Sequence, residues 1–304
     1  MTIILRRLIR AAACAVAFAA PLAGLLATSG AYAVAIGYSV RSDADRKLYR
    51  IDIATGVATA IGATNFSKIE ALAMNAAGEI YGVNPATAQL VKCSSATGAC
   101  TTVGPLVGLP QVQANAGLTF TTNGAMYLAA NAVVYRVDPA TGAAAPLGGT
   151  GPALSGLAGV PPTANCTSGL FGIGGNTDRG KLFCINTTTG ASTLLGALSV
   201  NPVDSGLDGD PVTGIVWGIS NDDPGQVFAI NPTTLAVTSL NTVTLAGTPI
   251  GGFESLAIQH TADVELVQPV PTLSEKALLL LWLLVASAAI FSQRRKIAAR
   301  SRRK

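Results

Sequence analysis

Residues 135–142, Tyr-Arg-Val-Asp-Pro-Ala-Thr-Gly, join an alternating strand pattern to a tight-turn signal, and this stretch decides the fold. In its first half, successive side chains would face opposite sides of a strand. In its second half, Pro139 suits the second position of a type I turn, and Gly142 suits the left-handed residue of a bulged hairpin. The stretch therefore predicts a β-hairpin.

The same hairpin pattern recurs at residues 48–56, 90–98, 182–190 and 227–235. The turn position is Gly56, Gly98, Gly142, Gly190 and finally Leu235, at spacings of 42, 44, 48 and 45 residues. Self-similarity at a fixed period indicates a repeat architecture, because one unit cannot bury its own apolar face and must stack on its neighbours.

Each full repeat also contains a second half, an apolar strand with a central Leu that turns back into another strand. Copies of this half cover residues 70–83, 117–128, 156–172 and 205–218. Together the two halves predict four strands in a unit of about 40 to 45 residues, which is typical of a β-propeller blade. The predicted fold class is all-β.

The ends of the repeat region predict how the ring closes. The first unit lacks the Leu-containing strand, whereas residues 253–258 are that strand and nothing more. Pairing the two completes a blade and removes the exposed sheet edges of an open array. Five blades result, and they are listed as residues 253–258 with 34–62, then 69–104, 117–148, 156–196 and 206–241. A six-bladed ring is the alternative, and an open β-sandwich or solenoid ranks below it.

Residues 1–33 have the pattern of a secretory signal peptide. A basic start precedes an apolar run over residues 11–27, and Ala31-Tyr32-Ala33 fits the small-x-small cleavage site. We expect export machinery to recognise this signal helix and signal peptidase to cut after Ala33. The alternative is an uncleaved membrane anchor.

The C-terminal region predicts a membrane segment after the propeller domain, residues 34–262, and a linker, residues 263–276. An uncharged run, residues 277–291, precedes a basic tail, residues 292–304. A helix of this length rises about 22 Å, short of the roughly 30 Å hydrocarbon core, so spanning needs snorkelling or bilayer thinning. The basic tail should stay cytoplasmic, which leaves the propeller outside the inner membrane.

A short motif in the linker precedes this predicted transmembrane helix, and its residues are Val270, Pro271, Thr272, Leu273, Ser274 and Glu275. The order of motif, short apolar helix and basic tail resembles the IPTL-CTERM class of sorting signals, relatives of the PEP-CTERM signals that exosortase-type membrane proteases recognise. That class usually reads Ile-Pro-Thr-Leu-Ser-Glu-Trp, so Val270 and Lys276 depart from it.

This resemblance implies a Gram-negative envelope protein that is exported and held transiently in the inner membrane with its body in the periplasm. An exosortase-like protease would cut it near the motif and release it to the cell surface or extracellular matrix. A permanent tail anchor facing the periplasm is the alternative.

The charge of the body argues against nucleic acid as a partner. The whole chain carries +4, but residues 34–275 contain 9 basic and 16 acidic residues, because the other basic residues lie at the two ends. A body with this balance repels phosphate backbones.

Four cysteines remain once Cys14 leaves with the signal peptide. Cys93 and Cys100 flank one hairpin turn, while Cys166 and Cys184 fall on neighbouring strands of one blade. Because the compartment is oxidising and both pairs are local, we predict two disulfides. Neither spacing resembles a zinc site.

Few residues could carry catalysis. His260 is the single histidine, so multi-histidine metal sites are excluded, and its position at the edge of the repeat region argues against Ser-His or Cys-His catalysis. No phosphate-binding glycine motif follows a strand and opens a helix, and no cofactor is predicted.

One pair of carboxylates is a candidate site. Glu70 and Glu254 each lie two residues before the repeated leucine, Leu72 and Leu256, in blades that are neighbours if the ring closes. Both could approach the mouth of the central channel and act as an acid and base pair, as in glycoside hydrolysis, or bind a cation. The alternative is a polar strand end that is solvated or bonded to backbone.

A second acidic cluster contains Asp204, Asp208 and Asp210. These residues supply the oxygen ligands that Ca²⁺ prefers, but they lack EF-hand spacing. The alternative is that they form turns.

Two functions remain open from the sequence. The first is a non-enzymatic surface or matrix propeller whose loops bind a polysaccharide or a surface protein. The second is a carbohydrate-active hydrolase or lyase that uses the channel carboxylates. The fold cannot decide between them, because propellers carry many functions.

Overall fold

The computed structural model describes residues 36–41, 44–112 and 115–259. This part of the chain is an all-β propeller of five blades with four strands each, and two short extra strands extend the sheet of the first blade. A 3₁₀ turn at Asn176–Asp178 is the helical element of these residues. The predicted signal peptide, His260, the sorting motif, the transmembrane helix and the basic tail lie outside them. Within the described ranges, no helix has the length and hydropathy to cross a membrane.

The strands follow the chain order that the repeats predict. Blade 1 contains β1 (Ile36–Val40), β2 (Lys47–Asp52) and β3 (Val57–Ala63). Blade 2 contains β4 (Ala71–Met74), β5 (Ile80–Asn84), β6 (Gln89–Cys93) and β7 (Cys100–Pro105). Blade 3 contains β8 (Ala116–Phe120), β9 (Met126–Ala130), β10 (Val133–Val137) and β11 (Ala144–Gly149). Blade 4 contains β12 (Leu154–Gly159), β13 (Leu170–Gly174), β14 (Lys181–Ile185) and β15 (Ser192–Ala197). Blade 5 contains β16 (Ser205–Gly209), β17 (Val216–Ser220), β18 (Gln226–Ile230) and β19 (Val237–Thr242).

Blade 1 is completed by strands from the end of the propeller: β20 (Thr244–Leu245), β21 (Thr248–Pro249) and β22 (Ala257–Ile258). As predicted, β22 is its inner strand and pairs with β1, with Tyr38 opposite Ala257. The outer edge is joined too, because β20 runs parallel to β3 with Thr244 opposite Val57. The ring is therefore closed at its centre and at its rim, and only the central closure was predicted from the sequence.

The hydrophobic core lies between blades, because each sheet buries both faces against its neighbours. The strands β22, β4, β8, β12 and β16 contact one another in ring order around the centre. Each core cluster contains residues of two adjacent blades, for example Leu48 and Leu72, Leu90 and Leu128, Tyr127 and Leu157, Phe171 and Phe228, or Ile219 and Ile51.

The recurring turn makes a contact between blades. A Cβ on Gly104, in the outer strand of blade 2, would lie 2.1 Å from the Thr141 carbonyl oxygen in the turn of blade 3. Gly62 and Gly148 have the same relation to the next blade's turn, and Gly142 has a φ of +81°. Glycine therefore recurs in both places because backbone meets backbone there and the turn needs a left-handed residue.

Both predicted disulfides are present. Cys93 and Cys100 join β6 to β7, with their Cα atoms 3.9 Å apart. Cys166, in the connection between β12 and β13, is bonded to Cys184 on β14, with Cα atoms 5.4 Å apart. Each bond therefore lies within a single blade, but the prediction that Cys166 lies on a strand is wrong, because β13 begins only at Leu170.

Replacing Cys166 and Cys184 together with serine is expected to lower the free energy of unfolding by about 3 kcal/mol, since the bond closes a loop with a sequence separation of 18. The midpoint of urea unfolding measures the change. The matched variant with Cys93→Ser and Cys100→Ser should lose slightly less, because its loop is shorter. Equal urea midpoints for the wild type and both variants would show that the disulfides do not stabilise the fold.

Candidate functional site

The inner strands share one register, which places five equivalent residues at one end of the central hole. Relative to the repeated leucine of each inner strand, the position two residues earlier is occupied by Glu70, Ala116, Ser155, Ser205 and Glu254. Because the blades are related by rotation around the hole, these positions surround the same opening, which we call the mouth. The loops that lead into the inner strands surround it as well.

Glu70 and Glu254 meet at the mouth through Lys68. The Lys68 Nζ lies 3.1 Å from Glu70 Oε2 and 3.6 Å from Glu254 Oε1. The two glutamate side chains are only 8% and 7% exposed, whereas that of Lys68 is 32% exposed. The structure therefore brings together the two carboxylates that the register predicts, and it adds a bridging ammonium that sequence reasoning missed.

Asp204 belongs to the same cluster, although the sequence grouped it with the acidic stretch that follows. Its carboxylate accepts a hydrogen bond from the Ser205 N–H at 2.9 Å. Burial raises the pKa of Asp204 to about 6; the Ser205 N–H and the Ser155 hydroxyl oppose the rise, the charge of Glu70 adds to it, and Lys68 opposes it. Asp204 thus lies within electrostatic reach of the glutamate and lysine of blade 2.

Two further polar groups line the mouth and lack a protein partner in the described part of the chain. They are the Ser205 hydroxyl and the Asn115 Nδ2, on residues that are 1% and 8% exposed. A Cβ added to Gly175 would lie 2.9 Å from Asn115 Nδ2 and 3.4 Å from Ser155 Cβ, so Asn115 lies beside Ser155. Buried polar groups are nearly always hydrogen-bonded, so these two groups indicate a polar occupant of the mouth.

Deeper in the hole, the carboxylate of Asp208 connects the inner strands. It accepts hydrogen bonds from groups on four blades: Thr119 Oγ1, Ile258 N and Gly209 N, each at 2.9 Å, and the Met74 backbone. The Thr119 hydroxyl in turn accepts a 3.0 Å bond from the Gly159 N–H of the remaining blade. One carboxylate and one hydroxyl therefore link all five inner strands.

The pKa of Asp208 is also raised by burial, to about 7. The surrounding N–H and O–H donors oppose that rise. Every one of these neighbours donates, which suits an ionised carboxylate. Asp208 is therefore a buried structural acceptor that closes the centre of the ring.

Asp210 has a third role, as a turn former. Its carboxylate accepts hydrogen bonds from the Val212 N–H at 2.8 Å and from the Thr213 hydroxyl at 2.7 Å. Asp204, Asp208 and Asp210 thus occupy three different settings, and no three Asp, Glu, His or Cys side chains of the described ranges form a metal-binding group. The three aspartates therefore do not come together as one set of calcium ligands.

The raised pKa values predict how stability depends on pH. A carboxyl group whose folded pKa lies above its unfolded value, about 3.9, destabilises the fold as pH rises from about 4 towards the folded pKa. Asp204→Asn should therefore match the wild type near pH 4 and gain up to about 3 kcal/mol relative to it by pH 7. Urea unfolding at pH 4, 5.5 and 7 measures this difference.

Asp222→Asn is the matched control, because Asp222 lies on the same side of the ring and accepts the Val203 N–H at 3.2 Å. The control should show no such gain. If the difference in unfolding free energy between Asp204→Asn and the wild type stayed constant with pH, the raised pKa assigned to Asp204 would be refuted.

A shallow surface groove of about 630 Å³ lies away from the mouth, beside the outer strands of blade 3. Its charged residues are Arg136 and Asp138, and Val107 lies at its edge. Asp138 belongs to the recurring turn, where its Oδ2 accepts a 2.6 Å bond from the Thr141 hydroxyl. Structural turn residues thus dominate the groove, and the mouth remains the candidate site.

Comparisons with known proteins agree with a repeat architecture. Residues 20–165 match the model of a family described as a repeat of unknown function, DUF6923. No curated protein matches the chain.

Several solved structures are similar to the chain. One belongs to a nidogen–laminin complex, with 14% identity and a TM-score of 0.47 over 75% of this chain and 85% of that one. Another comes from work on the de novo evolutionary emergence of a symmetrical protein, with 18% identity and a TM-score of 0.46 over 73% and 97%. A third is a protein of unknown function from Bacteroides thetaiotaomicron, with 18% identity and a TM-score of 0.45 over 60% and 52%.

Proposed function

We propose that this chain is an exported β-propeller that acts as a non-enzymatic binding module at the cell surface or in the extracellular matrix. Its ligand is a polysaccharide or a surface protein, and its mouth is the binding site. The observation that carries the binding role is the ion cluster at the mouth, in which Lys68 contacts both Glu70 and Glu254. The two disulfides support export, because such bonds persist in oxidising compartments.

The ion cluster favours binding over hydrolysis. In glycoside hydrolysis two carboxyl groups flank the scissile bond, and one of them must hold a transferable proton. Here the Lys68 ammonium forms ion pairs with the carboxylates of both Glu70 and Glu254, and both carboxylates are buried. Such a cluster can instead recognise a polar ligand through charge-assisted hydrogen bonds.

Binding can be tested with residues 34–268, which cover nearly all of the compact unit Ala33–Glu265. On a glycan array, we expect retention of a subset of glycans and no shortened products. Glu70→Gln and Lys68→Ala should weaken retention. Glu79→Gln should not, because Glu79 lies outside the mouth, where its carboxylate pairs with the Lys92 ammonium at a distance of 2.5 Å. Release of shortened glycans would instead establish the hydrolase alternative.

Export and processing need a separate test on the full chain in a Gram-negative host with an exosortase-type protease. The released protein should begin at Val34 and end near residues 270–275, as measured by intact mass. A variant with Pro271→Ala and Thr272→Ala should keep the C-terminal segment. A wild-type product that retains residues 277–304 would contradict the processing step.

A further inference from the structure

The mouth combines more acidic than basic groups in a buried setting. Glu70, Glu254 and Asp204 supply three carboxyl groups, and Lys68 supplies one ammonium. Charges in such a setting interact more strongly than they do in water. The mouth should therefore disfavour an anion and attract a further cation.

Two buried polar groups at the mouth have no protein partner within the described ranges. Ser205 shares the register of Glu70 and Glu254, and its buried hydroxyl has no partner within the described ranges. The buried Nδ2 of Asn115 lies beside Ser155 and also has no partner within the described ranges. Water molecules held around a central ion would satisfy both groups.

The donor set selects the class of ion. Carboxylate and hydroxyl oxygens suit the hard cations Ca²⁺ and Mg²⁺, and Mg²⁺ commonly keeps several waters and binds one or two carboxylates. This mode requires only one or two carboxylate ligands, which Glu70 and Glu254 supply. The small exposed fractions of the glutamates leave little room for a bulky organic cation.

We propose that the mouth binds one hydrated divalent cation of the Ca²⁺ or Mg²⁺ type, held by Glu70 and Glu254 in place of the Lys68 ammonium. This site goes beyond the binding function proposed above and does not depend on it. Lys68 acts as a tethered competitor, because its ammonium rests on the same two carboxylates. Its side chain is 32% exposed, whereas those of the two glutamates are 8% and 7% exposed.

The test uses the full chain, stripped with EDTA, and titrates it with CaCl₂, MgCl₂ or MnCl₂ alone in a calorimeter. The wild type should bind one equivalent of at least one of these cations and melt about 5 °C higher at saturation. Glu70→Gln and Glu254→Gln should each weaken binding at least tenfold. Glu79→Gln, which removes an equivalent carboxylate from the Lys92 pair, should leave binding unchanged.

Lys68→Met separates ion binding at the mouth from binding elsewhere. Removal of the competing ammonium should tighten cation binding about tenfold, an effect that loss of a merely structural ion pair would not produce. Circular dichroism checks that each variant is folded. No heat and no melting shift with any of the three cations, or an unchanged affinity in Lys68→Met, would overturn the proposal.

Discussion

Replacing Asp208 with alanine is expected to lower the free energy of unfolding by about 3 kcal/mol or more. The change removes the acceptor for the Thr119 hydroxyl and for the N–H groups of Ile258 and Met74. Each buried donor left without a partner costs about 1 to 3 kcal/mol. Relief of a desolvated charge offsets part of this loss, because burial already disfavours the ionised carboxylate.

Asp210→Ala is the control for this prediction, because it removes a carboxylate only two residues away. Asp210 caps a turn, so its loss should cost about 1 kcal/mol. Urea unfolding of both variants gives the comparison. Equal losses for the two variants would show that Asp208 does not connect the inner strands.

Removing the closing strand is expected to abolish cooperative folding. A chain of residues 34–252 lacks Phe253, Leu256 and Ile258, all of which are buried in the cluster between blades 5 and 1. Full burial of each such side chain stabilises by about 1.5 to 3 kcal/mol. The combined loss is comparable with the whole stability of a typical domain, about 5 to 15 kcal/mol.

The longer chain of residues 34–262 is the matched comparison, and thermal unfolding followed by circular dichroism is the measurement. Residues 34–262 should unfold in one sharp transition, and residues 34–252 should show none. A synthetic peptide of residues 253–262 should restore the transition in part, because it supplies β22 as a separate strand. A shorter chain that melts as the longer one does would contradict closure by the terminal strand.

The repeat pattern predicted the five blades because its parts have few structural solutions. Gly142 and its equivalents must take a left-handed turn, and the Leu-containing strand must be buried on both faces. The lone strand at residues 253–258 could then only be the inner strand that the first blade lacked. Strands β20 and β21 were missed, because each contains only two residues. Strand β20 pairs with β3 where the ring closes, and β21 pairs with β20.

The site was predicted only where it lies on the repeated strands. Register alone placed Glu70 beside Glu254, since both occupy the same position in adjacent blades. Register also places Asp204 and Asn115, because they directly precede the mouth positions Ser205 and Ala116, but the sequence reasoning did not apply it to them. Register did not predict that Lys68 bridges the two glutamates. The signal that was available for Lys68 is its position two residues before Glu70 in a chain with few charges.

The sequence grouped Asp208 with Asp204 and Asp210, as calcium ligands or turn formers, because the three aspartates form one acidic stretch. Register would have separated them, since Asp208 directly follows the repeated Leu207 and is equivalent to Thr119 in blade 3. At that position in blades 2, 4 and 1 the residue is alanine: Ala73, Ala158 and Ala257. One larger polar residue can fill the narrow centre because its counterparts are small.

The most direct measurement of the mouth as the functional site is a crystal structure of the protein grown with MnCl₂ after EDTA treatment. The anomalous signal of manganese locates the ion without reference to any assumed ligand. We expect one peak between the carboxylates of Glu70 and Glu254, with the Lys68 ammonium displaced from both. Manganese bound elsewhere, or no peak while Lys68 still bridges the two glutamates, would contradict the assignment of the mouth as a cation site.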